Sequence, residues 1–249
     1  MRQVWTSEDE CLLDDVPFAV GKGNYSALKT TDQGLFVLKG KSFFDKYDGY
    51  FGLVAPQNVL EVGVFEGGSA ILLADKWESA KIVGIDIRDP NPSVARHIKK
   101  MGFSDRISLY YNVSQNDDGR VNRILDQEFG REPIDIVIDD CSHIYELTKA
   151  TFNNVFPRLR PGGYYVVEDW AWAHWKDWQD GTKGWPDQPA LTNLLFEVTM
   201  ISASSSWLIS DVYVNSNFFV VKKSMNCPAL QDFNLEKHFV LRGKPFPRI

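Results

Sequence analysis

The chain has 249 residues, of which 44% are hydrophobic and 24% charged, a balance typical of a globular protein that buries a core. Its net charge of −6 and its lack of a basic run argue against a nucleic-acid partner. Three widely spaced cysteines fit neither a disulfide framework nor a zinc knuckle. These cysteines fit a reducing cytoplasm, and no apolar run reaches the length of a membrane span, so we expect a cytoplasmic protein without a membrane partner.

Residues 1–40 show no clear hydrophobic period and are predicted to form an N-terminal extension. The pattern changes at Ser42, where aromatic residues recur at helical spacing in SFFDKYDGYFGLV. This stretch predicts an amphipathic helix whose aromatic face packs against a sheet. It lies at the start of a single predicted domain that covers residues 41–249.

Beyond Pro56, short β-branched runs alternate with helical segments. The predicted strands are NVLEVGV, AKIVGIDI, RISLYYN, IDIVIDD and GGYYVVED, and the predicted helices cover residues 69–77, 94–101, 121–129 and 145–159. Parallel neighbouring strands need crossover connections, so this alternation predicts a doubly wound α/β sheet with helices on both faces.

The alternation ends after Glu168. Residues 170–189 hold five of the chain's eight tryptophans among polar and turn residues, which predicts a long tryptophan-rich loop. A helix is predicted over residues 190–200, followed by SWLISDVYV and FFVVKK, two strands joined by the tight turn NSN. We therefore expect a seven-stranded sheet that ends in an antiparallel hairpin.

A glycine-rich turn, LEVGVFEGGSA, follows the first strand of this sheet and leads into its first helix. Gly63 can let the chain turn sharply, while Gly67 and the next glycine leave room either for a ligand or for tight packing of strand on helix. Ser69 is the predicted N-cap of a helix whose first N–H groups are free. Asp86, at the end of the second strand, can bind a ribose diol or cap the loop before Pro90.

The spacing of this turn distinguishes two classes of cofactor. Dinucleotide-binding enzymes carry G-x-G-x-x-G, whereas this turn reads E-x-G-x-x-x-G from Glu61 to Gly67. That form resembles the first motif of class I S-adenosylmethionine-dependent methyltransferases, whose Rossmann-like sheet also ends in a hairpin. The resemblance implies S-adenosylmethionine as the cofactor. The binding residues that it implies here are Glu61, Gly63, Phe65, Gly67, Ser69, Asp86 and Ile87.

Four carboxylates lie at the ends of two predicted strands, Asp139 and Asp140 after one and Glu168 and Asp169 after the next. Parallel strands present their carboxyl ends at one edge of a sheet, so these acids would repel one another unless a cation lay between them. Oxygen ligands favour Mg2+, with Mn2+ or Ca2+ as substitutes. The alternative is that each acid caps the helix that follows it.

Three stretches, VLEVGVFEGGSA, DDCSH and PRLRPGGYYVVEDW, resemble one subgroup of methyltransferases, the macrocin and mycinamicin sugar O-methyltransferases with the related cephalosporin-hydroxylase-type proteins. This resemblance covers residues 57–170. The metal ligands that it implies are Asp140, Glu168 and Asp169. The catalytic residues that it implies are His143, as the base, and Asp140. It also implies that Asp139 lines the cofactor, while Asn112 and Gln115 stand where related proteins have a Gly-Asp-Gln-like turn and are the expected adenine contacts.

These roles imply a specific chemistry. A metal that binds a sugar hydroxyl lowers its pKa, and a neutral imidazole beside it can take the proton. We therefore expect a metal-dependent O-methyltransferase that acts on a hydroxyl of a sugar or glycosylated natural product. The alternatives are a catechol-like phenol as the acceptor, or a non-catalytic cofactor-binding subunit of a partner enzyme. The tryptophan-rich loop would cover the substrate, or else serve hydrophobic packing or a subunit interface, which leaves a homo-oligomer open. His174 within the loop is a second candidate base.

Overall fold

The computed structural model describes residues 2–21, 28–51, 54–178 and 188–249. Parts of three predicted features lie outside these residues: 22–27 of the N-terminal extension, 52–53 of the aromatic helix, and 179–187 of the tryptophan-rich loop, with Trp185. The chain divides into two compact units, Met1–Ser114 and Gln115–Ile249. In the described part of the chain, no helix has the length and apolarity that crossing a membrane requires.

The first unit begins with a small four-stranded sheet that the sequence did not predict. Its strands are β1 (Gln3–Trp5), β2 (Glu10–Leu13), β3 (Val16–Val20) and β4 (Leu35–Val37), in the order β1-β2-β3-β4. The first three strands are antiparallel, whereas β3 and β4 are parallel. Leu13, Phe18 and Leu35 are buried, so the segment expected to be an extension contributes apolar side chains to a core.

The rest of the first unit alternates helices with parallel strands. Its elements are α1 (Lys41–Phe51), β5 (Asn58–Val62), α2 (Gly68–Lys76), β6 (Lys81–Ile85), α3 (Pro92–Lys100) and β7 (Ile107–Tyr110). β6 pairs in parallel with β5 on one side and with β7 on the other. α1 buries Phe43, Phe44, Tyr47 and Phe51, which confirms the predicted aromatic face.

The second unit continues the alternation and then reverses direction. Its elements are α4 (Asp118–Phe129), β8 (Ile134–Asp139), α5 (Tyr145–Val155), β9 (Leu159–Glu168), α6 (Thr192–Ser204), β10 (Ile209–Val214) and β11 (Phe218–Lys223). β9 is parallel to β8 and antiparallel to β11, and β11 forms the predicted hairpin with β10. Within the predicted tryptophan-rich loop, Trp172–His174 and Lys176–Trp178 are short 3-10 helices.

The main sheet has seven strands, β5 to β11. Their order is β5-β6-β7 in the first unit and β10-β11-β9-β8 in the second. β5, β6 and β8 are buried along nearly their whole length, the pattern of parallel strands that are covered on both faces. The predicted doubly wound α/β fold with a terminal antiparallel hairpin is therefore confirmed.

Candidate active site

The glycine-rich turn of the first unit is held by the carboxylate of Asp86. Oδ2 of Asp86 accepts hydrogen bonds from the backbone N–H groups of Val64 (2.9 Å) and Phe65 (2.7 Å). Oδ1 accepts a third from the N–H of Arg88 (2.8 Å). Gly63 turns the chain with a φ of +93°, a conformation that favours glycine. Asp86, the predicted ribose ligand, thus also fixes the shape of the turn.

Two other glycines of the turn make room for the protein itself. A Cβ atom at Gly68 would lie 2.2 Å from the carbonyl oxygen of Phe36 in β4, and one at Gly67 would lie 2.5 Å from Cγ1 of Val94 in α3. Tight packing was one of the two roles predicted for these glycines, and it accounts for Gly67 and for Gly68. The prediction of Ser69 as the N-cap of α2 is wrong, because Gly67 occupies that position with a φ of +77° and Ser69 lies buried in the first turn.

Three more residues of the predicted cofactor site follow the carboxyl ends of β5, β6 and β7. Phe65 and Asn112 have left-handed backbones, with φ values of +51° and +57°. Such conformations are costly for residues other than glycine and occur often at binding sites. Ile87 is 63% exposed, which leaves an apolar surface directly after Asp86. The structure thus places Phe65, Ile87 and Asn112 at the same edge of the sheet, while Glu61 is buried within β5.

In the second unit, Asp140, His143 and Asp169 lie close together. Each offers one potential ligand atom, and these three atoms lie within 4.8 Å of one another. Nε2 of His143 is 3.9 Å from Oδ1 of Asp140. Asp140 directly follows β8 and Asp169 directly follows β9, and the parallel pairing of these strands sets Asp139 opposite Val167. The structure therefore brings acids from two neighbouring strand ends to one place.

Two members of this group have strained backbones. The φ angles of His143 and Asp169 are +54° and +52°. A left-handed residue other than glycine costs on the order of 1 kcal/mol and persists only where its surroundings hold it. One such restraint is a hydrogen bond from the N–H of Asp169 to the carbonyl oxygen of Asn217, in the turn between β10 and β11 (2.7 Å). No sequence signal identifies this strain.

The other two strand-end acids have different surroundings. Among the described residues, Glu168 is outside the group of three. It is the buried last residue of β9, and its role as a metal ligand stays a prediction. Asp139 accepts a hydrogen bond from the hydroxyl group of Tyr165 (2.9 Å). Burial raises the pKa of the Asp139 carboxyl to about 7, although the bond from Tyr165 opposes this shift. Its predicted place beside the cofactor also stays a prediction.

The structure gives Gln115 a role that the sequence did not predict. Its Nε2 donates a hydrogen bond to Oγ1 of Thr151 in α5 (2.9 Å), and its Oε1 accepts one from the N–H of Ser142 (3.2 Å). Both bonds are made by a buried side chain. Gln115 therefore supports the loop that carries His143, and its predicted contact with adenine stays a prediction.

A cavity of about 290 Å³ opens beside His143 and Asp169. The ring of Trp172 lies close to the imidazole ring of His143 and to the indole ring of Trp178, with centroid distances of 4.4 Å and 4.6 Å. Trp170 donates its indole N–H to the carbonyl oxygen of Asn215 (2.8 Å). Other lining residues include His174, Pro189 and Leu191. The wall of the cavity is therefore mainly aromatic and apolar.

His174, the second candidate base, is attached to a different part of the unit. Its Nε2 lies 2.5 Å from Oγ1 of Thr192, at the start of α6. Within the described residues, His143 is the histidine that lies with the two acids. The structure therefore groups His143, rather than His174, with the two acids.

Residues 60–170 match the family described as a methyltransferase domain. The matched range contains the glycine-rich turn, both pairs of strand-end acids and His143. The resemblance predicted from the sequence is therefore confirmed.

Particular relatives are O-methyltransferases. The demethylmacrocin O-methyltransferase of Streptomyces fradiae is 34% identical over 161 residues, which are 61% of this chain and 37% of the relative. The mycinamicin VI 2''-O-methyltransferase of Micromonospora griseorubida is 35% identical over 142 residues, 53% of this chain and 32% of the relative. A solved structure of the MycE methyltransferase from the mycinamycin pathway, in complex with Mg, SAH and mycinamycin VI, is 30% identical with a TM-score of 0.59. That match covers 74% of this chain and 50% of the structure, so the chain spans only part of the length of its relatives.

Proposed function

We propose that the protein is a metal-dependent O-methyltransferase that transfers the methyl group of S-adenosylmethionine to a hydroxyl of a sugar or glycosylated natural product. The observation that carries this proposal is the group of Asp140, His143 and Asp169 beside an aromatic cavity. The acceptor class is supported by the names of two relatives, a demethylmacrocin and a mycinamicin VI O-methyltransferase.

The side chains of this group suit a divalent cation. Two carboxylates within 4.8 Å would repel each other without one, and carboxylate oxygens favour Mg2+, the ion named in the complex of the solved relative. Asp140 and Asp169 are the proposed ligands, with Glu168 as a third. When bound, Mg2+ lowers the pKa of a hydroxyl group that it contacts.

His143 is the proposed base, because its Nε2 can accept the proton of the acceptor hydroxyl. Imidazole side chains in general accept and release protons near neutral pH, which suits the removal of a proton from a hydroxyl group. Trp172 packs on its ring, and the backbone of His143 is held in a left-handed conformation, so the imidazole is oriented before the acceptor binds. Methyl transfer is an in-line displacement, for which the alignment of the attacking oxygen supplies much of the rate enhancement.

The glycine-rich turn and the strand ends that follow it are the proposed cofactor site. The Asp86 carboxylate accepts three hydrogen bonds from backbone N–H groups. A carboxylate can accept about four, so one position remains for a ribose hydroxyl. The exposed side chain of Ile87 suits contact with the flat adenine ring. The full proposed set is Glu61, Gly63, Phe65, Gly67, Ser69, Asp86, Ile87, Asn112, Gln115 and Asp139.

The size of the aromatic cavity favours a single ring as the group that enters it. Its volume of about 290 Å³ is at the lower end of the roughly 300–1,000 Å³ of ligand pockets. A sugar ring would then enter while the rest of a glycosylated acceptor stays outside. Trp172 already packs against the rings of His143 and Trp178, so Trp170 and Trp178 are the proposed walls against the sugar.

The proposed cellular location is the cytoplasm. Cys11, Cys141 and Cys227 are all thiols rather than disulfides, which a reducing compartment would maintain.

A methyl-transfer assay with labelled S-adenosylmethionine tests the proposal against three sets of acceptors: glycosylated natural products, their aglycones and catechols. We expect labelled product from glycosides, dependence on Mg2+, and loss of product in His143→Ala. His174→Ala is the matched control, because His174 lines the same cavity but lies outside the acidic group. Transfer to catechols alone would make phenols the acceptor class. Binding of the cofactor without transfer to any acceptor would indicate a non-catalytic subunit.

A further inference from the structure

A buried ion pair lies behind the glycine-rich turn. Nζ of Lys39, two residues after β4, is 3.9 Å from Oε1 of Glu61 in β5. Their side chains are 7% and 0% exposed, so both charges have been removed from water. Lysine and glutamate are rarely buried to this extent, and removing charges from water is costly even when they form a pair. Stabilisation of the fold alone therefore does not explain why these two charges are buried.

The segment that carries Lys39 lies on the glycine-rich turn. We call residues 35–39 the N-terminal strap. The carbonyl oxygen of Phe36 in the strap approaches Gly68 so closely that a Cβ atom there would be 2.2 Å away. The ring of Phe36 also lies 6.0 Å from the ring of Phe65. The strap thus covers the beginning of α2 and brings Lys39 to the strand that leads into the turn.

The charges of the pair match those of the amino-acid part of the proposed cofactor. S-adenosylmethionine ends in a zwitterion, with one ammonium group and one carboxylate. Glu61 could bind the ammonium group and Lys39 the carboxylate, since each charged hydrogen bond would replace part of the hydration that burial removed. At 3.9 Å the two side chains attract each other. The cofactor's ammonium group and carboxylate add one positive and one negative charge, so the net charge of the site would stay at zero.

We propose that Lys39 is a cofactor-binding residue whose ammonium group binds the carboxylate of S-adenosylmethionine, beside Glu61. This inference rests on the proposed function, because it assigns a further residue to the same cofactor. It extends the cofactor site beyond the matched range of residues 60–170 into the N-terminal strap.

The test measures binding rather than activity. Isothermal titration calorimetry compares S-adenosylhomocysteine with its decarboxylated analogue, which keeps the adenosine, the sulfur and the ammonium group. The wild-type protein should bind the analogue roughly tenfold to a hundredfold more weakly, the effect of one charged hydrogen bond. Lys39→Met should lose a similar factor for S-adenosylhomocysteine and much less for the analogue, so that the two affinities converge. Lys39→Arg should recover part of the difference.

Lys41→Met is the matched control. It removes the same charge two residues farther along, where the side chain is 44% exposed and pairs with Asp45, and it should leave both affinities unchanged. Equal losses for the two ligands in Lys39→Met would make Lys39 a structural residue and overturn the inference. Equal binding of the two ligands by the wild-type protein would overturn it without any variant, even if Lys39→Met fails to fold. If the wild-type protein bound neither ligand, the proposed function itself would be refuted.

Discussion

Replacing Trp172 with leucine tests whether the aromatic wall fixes the proposed base. The ring of Trp172 is 4.4 Å from that of His143 and 4.6 Å from that of Trp178. Leucine stays apolar but removes the flat contact with the imidazole. An aromatic pair contributes about 0.5–1.5 kcal/mol beyond its buried area, and about 1.4 kcal/mol equals a factor of ten in rate. If the orientation of His143 limits proton transfer, kcat should therefore fall about twofold to tenfold.

Steady-state kinetics at saturating cofactor and Mg2+ provide the assay, with a glycosylated acceptor that the wild-type protein methylates. KM should change by less than about twofold, because Trp170 and Trp178, rather than Trp172, are the proposed walls against the sugar. Trp172→Phe should recover most of the rate. Trp175→Leu is the control, since Trp175 is 37% exposed and packs on Trp172 at 6.4 Å. A higher KM with an unchanged kcat would refute this reasoning and make Trp172 an acceptor-binding residue.

Two further changes test the packing of the protein. Gly68→Ala should destabilise the protein by about 1–3 kcal/mol, because the new Cβ would meet the backbone of β4. Gly49→Ala in α1 is the control and should be neutral or stabilising, because a Cβ there meets nothing within 4 Å. Calorimetric unfolding compares the two variants with the wild-type protein. Lys149→Met should cost about 3 kcal/mol near neutral pH, since it removes three hydrogen bonds from the buried Nζ, one of them to the buried carboxylate of Glu197. The acceptors are Glu197 (2.7 Å), Glu236 (2.6 Å) and the Tyr145 hydroxyl (2.9 Å). Burial raises the pKa of Glu197 in the folded protein. The contribution of this group to the free energy of unfolding is therefore fully present below its unfolded pKa of about 4.3, and it is lost as the pH rises through the folded pKa. The loss in Lys149→Met should therefore shrink towards pH 4, where Glu197 becomes neutral, and an equal fall in Tm at acidic and neutral pH would contradict this assignment.

The main sheet could be predicted because its strands are short runs rich in β-branched and aromatic residues, and because most of them alternate with recognisable helices. IDIVID in β8 and FFVVKK in β11 show this pattern without any tertiary information. The N-terminal sheet could not be predicted, because its strands have three to five residues, too few to establish a period of two. Its parallel pair also joins Phe18 to Leu35 across a long connection, which no local pattern encodes.

The candidate site was predictable where it follows from topology. Asp140 and Asp169 meet because the parallel strands before them end at the same edge. Contacts between distant segments were not predictable: Phe36 fills the space beside Gly68, and Gln115 binds the loop that carries His143. Each of these depends on tertiary packing, which overrides what a turn or a polar side chain suggests by itself.

The central claim is that Asp140 and Asp169 bind one divalent cation. Calorimetric titration of Mg2+, or of Mn2+, in the presence of S-adenosylhomocysteine tests it directly, with Asp140→Asn/Asp169→Asn as the double variant. Asp126→Asn/Glu132→Gln is the control, because it removes the same charge from exposed positions of the same unit. We predict one bound ion in the wild-type protein and in the control, and loss of binding in the double variant. Identical titrations for all three proteins would contradict the account.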